Sequence, residues 1–187
     1  MSGATPKLRR EARLSGVQAL YQMDVAGTKS KQVIFEFLNH RFGFEGEDGM
    51  VAADETFFEA LVEGVVREQA QIDAKLDAQL PAKWPLRRLD MTLRALLRAG
   101  VFELTQRPDV PALVVIDEYV AIAADFFDGK EPGMVNAVMD SIAKSVRAAE
   151  FGLPLPAAIL TPDPVIPEAA SEDADVITSL PTDEDDN

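Results

Sequence analysis

The chain has 187 residues, with 32 acids against 18 bases and a formal net charge of -14. It has no Cys and a single His, His40, which excludes a disulfide framework, a thiolate nucleophile, a Cys-based zinc site and a two-His metal site. No apolar run approaches the roughly 18 residues of a membrane span, and no apolar segment follows the N-terminal bases, so the expectation is a cytoplasmic protein with no membrane contact and no secretory signal.

The body reads as helices. Thr5 followed by Pro6 is a cap followed by a first-turn proline. Leu14, Val17, Tyr21 and Val25 then share one face, and Gly27 is a stop. Tyr21, in that arc, is read as core. Val33, Ile34, Phe37 and Leu38 predict a short second helix. The stretch from Gly43 to Gly49, with three glycines and three acids, predicts a loop. Phe57, Phe58, Leu61, Val62, Val65, Ile72, Leu76 and Leu80 form the stripe of a long third helix.

Pro81 and Pro85 bracket Trp84 and break the pattern, so the division between two halves is placed there, with Trp84 as a packing anchor. Leu89, Leu93, Leu96, Leu97, Val101 and Leu104 mark a fourth helix, with Asp90 and Arg94 spaced to pair on its flank. Val114, Val115, Tyr119, Ile122 and Phe126 mark a fifth, and Val135, Val138, Met139, Ile142 and Val146 a sixth. The expected fold is all-α, as two small helical bundles, residues 1–80 and 81–150. Residues 151–187 hold six of the twelve prolines, nine acids and no Lys or Arg, and read as a disordered acidic tail. Such a tail is either solvated or in electrostatic competition for the basic N-terminus.

The rest of the charge is uneven. Residues 1–150 carry 23 acids and 18 bases, but the first 31 residues carry six bases against Glu11 and Asp24. A sequence pI near 4.4 ordinarily argues against nucleic acid, because binding phosphates needs a basic patch. Here the patch exists locally: Lys7, Arg9, Arg10 and Arg13 fall within the opening helix. Guanidinium groups bind phosphates bidentately and stack on bases, so this cluster is a candidate RNA contact. Catalytic constellations are missing: there is no GxGxxG, GxxxxGK[ST] or GxSxG. No enzyme, cofactor or metal is expected. Glu103, an acid beside the apolar stripe of the fourth helix, is read as paired or capping.

Four segments, in order, resemble one family. Arg9-Arg10-Glu11-Ala12-Arg13 followed by Val17-Gln18-Ala19-Leu20-Tyr21 resembles the arginine-rich opening helix of the bacterial transcription antitermination factor NusB family. Leu96 to Leu104, LLRAGVFEL, resembles its "LRxAxYEL" helix; Pro111 to Glu118, PALVVIDE, its "VPxxVAINE" segment; and Val135 to Asp140, VNAVMD, its "VNGVLD" segment. The match covers roughly residues 5–148.

The resemblance implies an RNA-binding adaptor that pairs with the ribosomal small-subunit protein NusE. Together they would bind the single-stranded boxA element of nascent ribosomal RNA transcripts, join RNA polymerase with other Nus factors and suppress termination. It places RNA contacts at Arg9, Arg10 and Arg13, beside Lys7 of the same basic cluster, with Gln18 placed to reach RNA or a partner, and in a second region from Phe126 to Met134, with Phe126 for stacking and Lys130 for a phosphate. Glu11 stands where relatives often carry a base, and the 128–134 loop departs from the family pattern. Phe126 also reads as core, and Asn136 as a residue that satisfies backbone groups. Two other readings stand beside this one. One is an RNA-recognition domain related to rRNA cytosine methyltransferases. The other is a protein-binding helical module without RNA contacts. The apolar stripes also leave room for a homodimer.

Overall fold

The computed structural model describes residues 5–43 and 51–154. The Gly43 to Gly49 loop after its first residue, and the acidic tail from residue 155 onward, lie outside the described residues. Among the described residues there are six α-helices: α1 (Pro6–Ala26), α2 (Ser30–His40), α3 (Glu55–Gln79), α4 (Met91–Gln106), α5 (Ala112–Phe126) and α6 (Glu131–Val146). Short 3-10 turns occupy Leu86–Arg88 and Ala148–Phe151. The fold is all-α, and the one β-bridge described joins Phe42 to Val51.

The helix ends follow local chemistry. Thr5 caps α1, its hydroxyl accepting from the Leu8 amide at 3.4 Å. Gly27 ends it with φ 65°, a left-handed conformation that glycine adopts without a Cβ clash. Asp54 caps α3 through the Phe57 amide. Asp90 caps α4, accepting from the Thr92 and Leu93 amides. Asp90 therefore does not pair with Arg94. The carboxylate is used by the helix end, and Arg94 turns to Asp24 of α1 instead.

The packing centres on α4. It contacts α1 and α3 on one side and α5 and α6 on the other. Every residue from Ala95 to Leu104 is buried, so the one-sided stripe read from the sequence understates it. A helix enclosed on all sides is apolar all round, except where a polar group has a partner. Arg98 and Glu103 are those exceptions, and both are paired. One continuous hydrophobic core includes residues from α1, α2 and α3 and from α4, α5 and α6, with Trp84 and Phe151 partly buried against it.

The stripe of α1 is also turned. Its buried face runs through Ala12, Arg13, Gly16, Val17, Ala19 and Leu20. Tyr21 and Val25 are exposed, which corrects the reading of Tyr21 as core. The reason lies at Gly16: a Cβ there would overlap the Leu61 side chain of α3. The close approach of α3 draws the small residues inward and leaves Tyr21 outside.

At the far end of α4, Arg147 gathers carbonyls of the last helical turn and of the 107–111 connection. Its guanidinium donates to the carbonyls of Leu104 at 2.6 Å, Glu103 at 3.1 Å and Arg107 at 2.6 Å, and to that of Val110. The Glu150 carboxylate accepts from the Ala112 amide at 2.7 Å, at the start of α5. These contacts fix the 107–111 connection, which faces the start of α1.

Candidate nucleic-acid interface

The arginines of α1 are not simply solvated. Arg9 Nε lies 2.7 Å from Asp54 Oδ2, the carboxylate that also caps α3. Arg10 donates to Asp125 of α5 at 2.9 Å and sits 3.8 Å from Glu118. Arg13 is buried, and its Nε and Nη2 donate to the two carboxylate oxygens of Glu103 at 2.9 and 2.6 Å. Its remaining nitrogen, Nη1, lies 3.5 Å from Glu118 Oε2 without hydrogen-bond geometry. The expectation that Glu103 is a paired acid therefore holds.

One aromatic ring organises this end. The guanidinium groups of Arg9, Arg13 and Arg107 lie 5.0, 5.5 and 5.1 Å from the centre of the buried Phe57 ring. Cations favour the negative face of such a ring. Arg107 also holds Asp109 bidentately at 2.8 and 2.8 Å. The hydrogen bond from Arg107 lowers the Asp109 carboxyl to about 2. Burial acts to lower the basicity of Arg13, but the hydrogen bond and charge of Glu103 outweigh it and leave Arg13 raised. Tyr119 is fully buried beside this pair, and burial first, then the Glu103 charge, push its phenol well above the usual range.

The site residues named from the sequence fall into three groups. Lys7 and Arg10 lie at the open rim of α1, with Arg9 half-buried behind them. Arg13 stands in the floor. Gln18 is exposed two turns beyond Glu11, and lines clefts with Tyr21, Phe37 and Arg41 on the side of α1 that faces α2. Phe126 ends α5 and is exposed, 6.5 Å from the Phe127 ring, and Lys130 is exposed at the start of α6. The Arg10–Asp125 contact ties the basic end of α1 to the last turn of α5, which ends at Phe126. Asn136 is exposed and makes no side-chain hydrogen bond among the described residues, so it does not serve the backbone.

The acids that position these arginines were not read from the sequence. Asp54, Glu118 and Asp125 are far from α1 in the chain, and no local spacing points to them. The one signal was Glu103, an acid at an apolar position, which demands a buried cation.

The sequence profile of the NusB family matches residues 10–144. A transcription antitermination protein NusB from Maricaulis maris is 56% identical over 146 residues, covering 78% of this chain and 91% of that one.

The chain belongs to the NusB family.

A second NusB, from Caulobacter vibrioides, is 53% identical over 149 residues, covering 79% of this chain and 99% of that one. Among solved structures, T. maritima NusB superposes with a TM-score of 0.66 at 28% identity, covering 80% of this chain and 99% of that one. A structure of the antitermination factors NusB and NusE in complex with dsRNA gives a TM-score of 0.56 at 25% identity, over 75% of this chain and 98% of that one. The NusB match spans the arginine helix from Arg10, the buried Glu103 and the Phe126 turn, so all three belong to the shared fold.

Proposed function

We propose that the protein is an RNA-binding transcription antitermination adaptor. With a NusE partner it binds the boxA element of nascent ribosomal RNA transcripts, and it joins RNA polymerase and other Nus factors in the cytoplasm. It does so by binding alone, without a catalytic group. The observation that carries this reading is the Arg10–Asp125 contact, which ties the basic end of α1 to the last turn of α5, where Phe126 is exposed. Phosphates would meet Lys7, Arg9 and Arg10, and an unpaired base would stack on Phe126, the usual division between affinity and sequence preference. Arg13 supports the site from below. The membership in the NusB family and the solved NusB–NusE–RNA complex support NusE and RNA as partners.

Because Arg9 and Arg10 already face carboxylates, RNA must displace part of that pairing. Binding by the protein alone is therefore weak, and a partner that adds RNA surface raises it through joint binding. The test is affinity for boxA-like and scrambled RNA, with and without NusE, for wild type and for Arg9→Ala with Arg10→Ala. The wild type is expected to prefer boxA when NusE is present, and the double variant to lose affinity for both RNAs. Equal binding of boxA and scrambled RNA with NusE present would sink the adaptor reading and favour the protein-binding module. Sedimentation of the same samples reads whether a homodimer forms and dissociates on RNA.

A further inference from the structure

The connection between α3 and α4 carries bases that the acids around it leave unpaired. Lys83, Arg87 and Arg88 fall within six residues, and all three are exposed. Their side chains make no hydrogen bond or ion pair among the described residues. Every other arginine of the chain makes an ion pair. With 32 acids against 18 bases, the cause is not a shortage of carboxylates. The carboxylates nearby are engaged elsewhere. Asp77 accepts from the Leu86 amide at 3.3 Å, and Asp90 caps α4. Asp73 is held by Arg98, and Asp24 by Arg94 and Arg98. The backbone beneath the three bases is fixed: the Trp84 amide donates to Pro81 at 2.7 Å, and the Arg88 amide to Pro85 at 2.8 Å. Leu86 and Leu89 are buried, so what this connection offers to the outside is mostly positive charge.

We propose that Lys83, Arg87 and Arg88 form a second RNA surface, which takes phosphates of the transcript beyond the stretch held at the basic rim of α1. The proposal rests on the RNA-binding reading above and lengthens its footprint. A phosphate that meets Arg9 or Arg10 must displace a carboxylate, whereas one that meets Arg87 or Arg88 displaces only water and counterions. A guanidinium can also hold two phosphate oxygens at once. The two surfaces stand at opposite ends of α1. Arg87 lines a cleft of about 200 Å³ with Arg94 and Arg98, and both of these bond to Asp24. Asp24 lies fourteen positions beyond Arg10 on α1, about 21 Å along the axis at 1.5 Å per residue. A strand long enough to span them is held twice. The second surface reads no base, because phosphate contacts carry no sequence information directly. An acidic protein segment would meet the same charge, but protein interfaces have an apolar core. Met91 is the only large apolar side chain exposed along residues 81–94, which favours the nucleic acid.

The test compares a short boxA-like RNA with the same RNA extended by unpaired uridines at its 5′ or its 3′ end. Both are titrated against the full chain and against a variant combining Lys83→Gln, Arg87→Gln and Arg88→Gln. In the wild type, one of the extended RNAs is expected to bind roughly tenfold more tightly than the short one. Its slope of log affinity against log salt is expected to be steeper by about 2, for three further phosphates on a single strand. The combined variant is expected to lose both gains, to bind the short RNA as the wild type does and to melt at the same temperature. Should it melt lower, Arg88→Gln alone carries the test, with an expected loss of about 0.7 in slope. Short and extended RNAs that bind the wild type equally, or a combined variant that keeps the gain, overturn the proposal. NusE affinity is measured alongside without RNA; a combined variant that loses NusE and keeps the RNA gain assigns this surface to a protein partner instead. If the short RNA binds and extension adds nothing, the second surface is wrong and the RNA-binding reading stands. If only the extended RNAs bind, and the combined variant abolishes that binding, the second surface stands and the α1 rim falls. If no RNA binds, both fall.

Discussion

The two ends of α1 carry charges of opposite sign, and both oppose the helix dipole. Bases sit at the N-terminal end and Asp24 sits near the C-terminal end, where the reverse arrangement would be favoured. Tertiary partners hold both ends, but they close only one. At the C-terminal end, Asp24 accepts from Arg94 and Arg98, and Asp73 of α3 takes the other two donors of Arg98 at 2.8 and 2.8 Å. Two acids and two bases face one another there. At the N-terminal end, Arg13 is locked to Glu103, but Arg10 remains 39% exposed and Glu118 Oε2 lacks a hydrogen bond. The closed cluster ties α1 to α3 and α4. The open one has the same ingredients but is incompletely paired. Arginine content alone does not distinguish them; the completeness of pairing does.

Removing Arg13 or Glu103 attacks the buried part of the open end and has the largest expected effect. Arg13→Ala or Glu103→Ala leaves an uncompensated buried charge, at a cost of about 3–5 kcal/mol in urea unfolding. The apolar pair Arg13→Met with Glu103→Leu is expected to recover much of that loss. A double variant no more stable than either single one would show that the pair is not the source of the cost.

Arg98→Ala tests the closed end. A loss of about 1–3 kcal/mol is expected, because Asp73 and Asp24 lose their donors together. RNA affinity should be unchanged in this variant. A large fall in RNA affinity, with the fold intact, would erase the contrast between the two ends.

Arg10→Ala should do the opposite. Stability is expected to stay within about 0.5 kcal/mol of wild type, as for a half-exposed ion pair. RNA affinity should fall for all sequences, and the slope of log affinity against log salt should drop by about 1, because one fewer phosphate is neutralised. An unchanged slope would remove Arg10 from the interface.

The smallest effect belongs to Asp109. Its carboxyl is lowered to about 2 by Arg107, below the ordinary value of about 3.9. The stabilisation from this group is therefore complete above pH ~4 and is lost as pH falls through about 2. Because the side chain is 57% exposed, Asp109→Asn should cost less than about 0.5 kcal/mol at neutral pH. A cost well above that in thermal melts would mean that Asp109 braces the Phe57 cluster.

Much of this molecule was legible in the sequence, because helix starts and stops depend on neighbours. Thr5, Pro6 and Gly27 bound α1 as expected, and Pro108 and Pro111 separate α4 from α5. The four motif segments pointed to the NusB family, and Glu103 announced a buried partner. The errors had one physical source. Asp90 and Arg94 are spaced to pair, yet the helix end claims the acid and α1 supplies another. Tyr21 and Val25 continue an apolar spacing, yet the approach of Leu61 over Gly16 turns them out.

Side-chain partners across the fold followed no such local rule. Arg13 meets Glu103 ninety positions away, and Arg10 meets Asp125 at a separation of 115. The sequence by itself determined the helices, their order and the charge at each end of α1, since these depend on residues a few positions apart. Only the tertiary structure decided which arginine is buried, which remains open and which carboxylate oxygen is left without a hydrogen bond. Those outcomes depend on the packing of α1 against α3, α4 and α5, where a shift of one helical turn would exchange every partner.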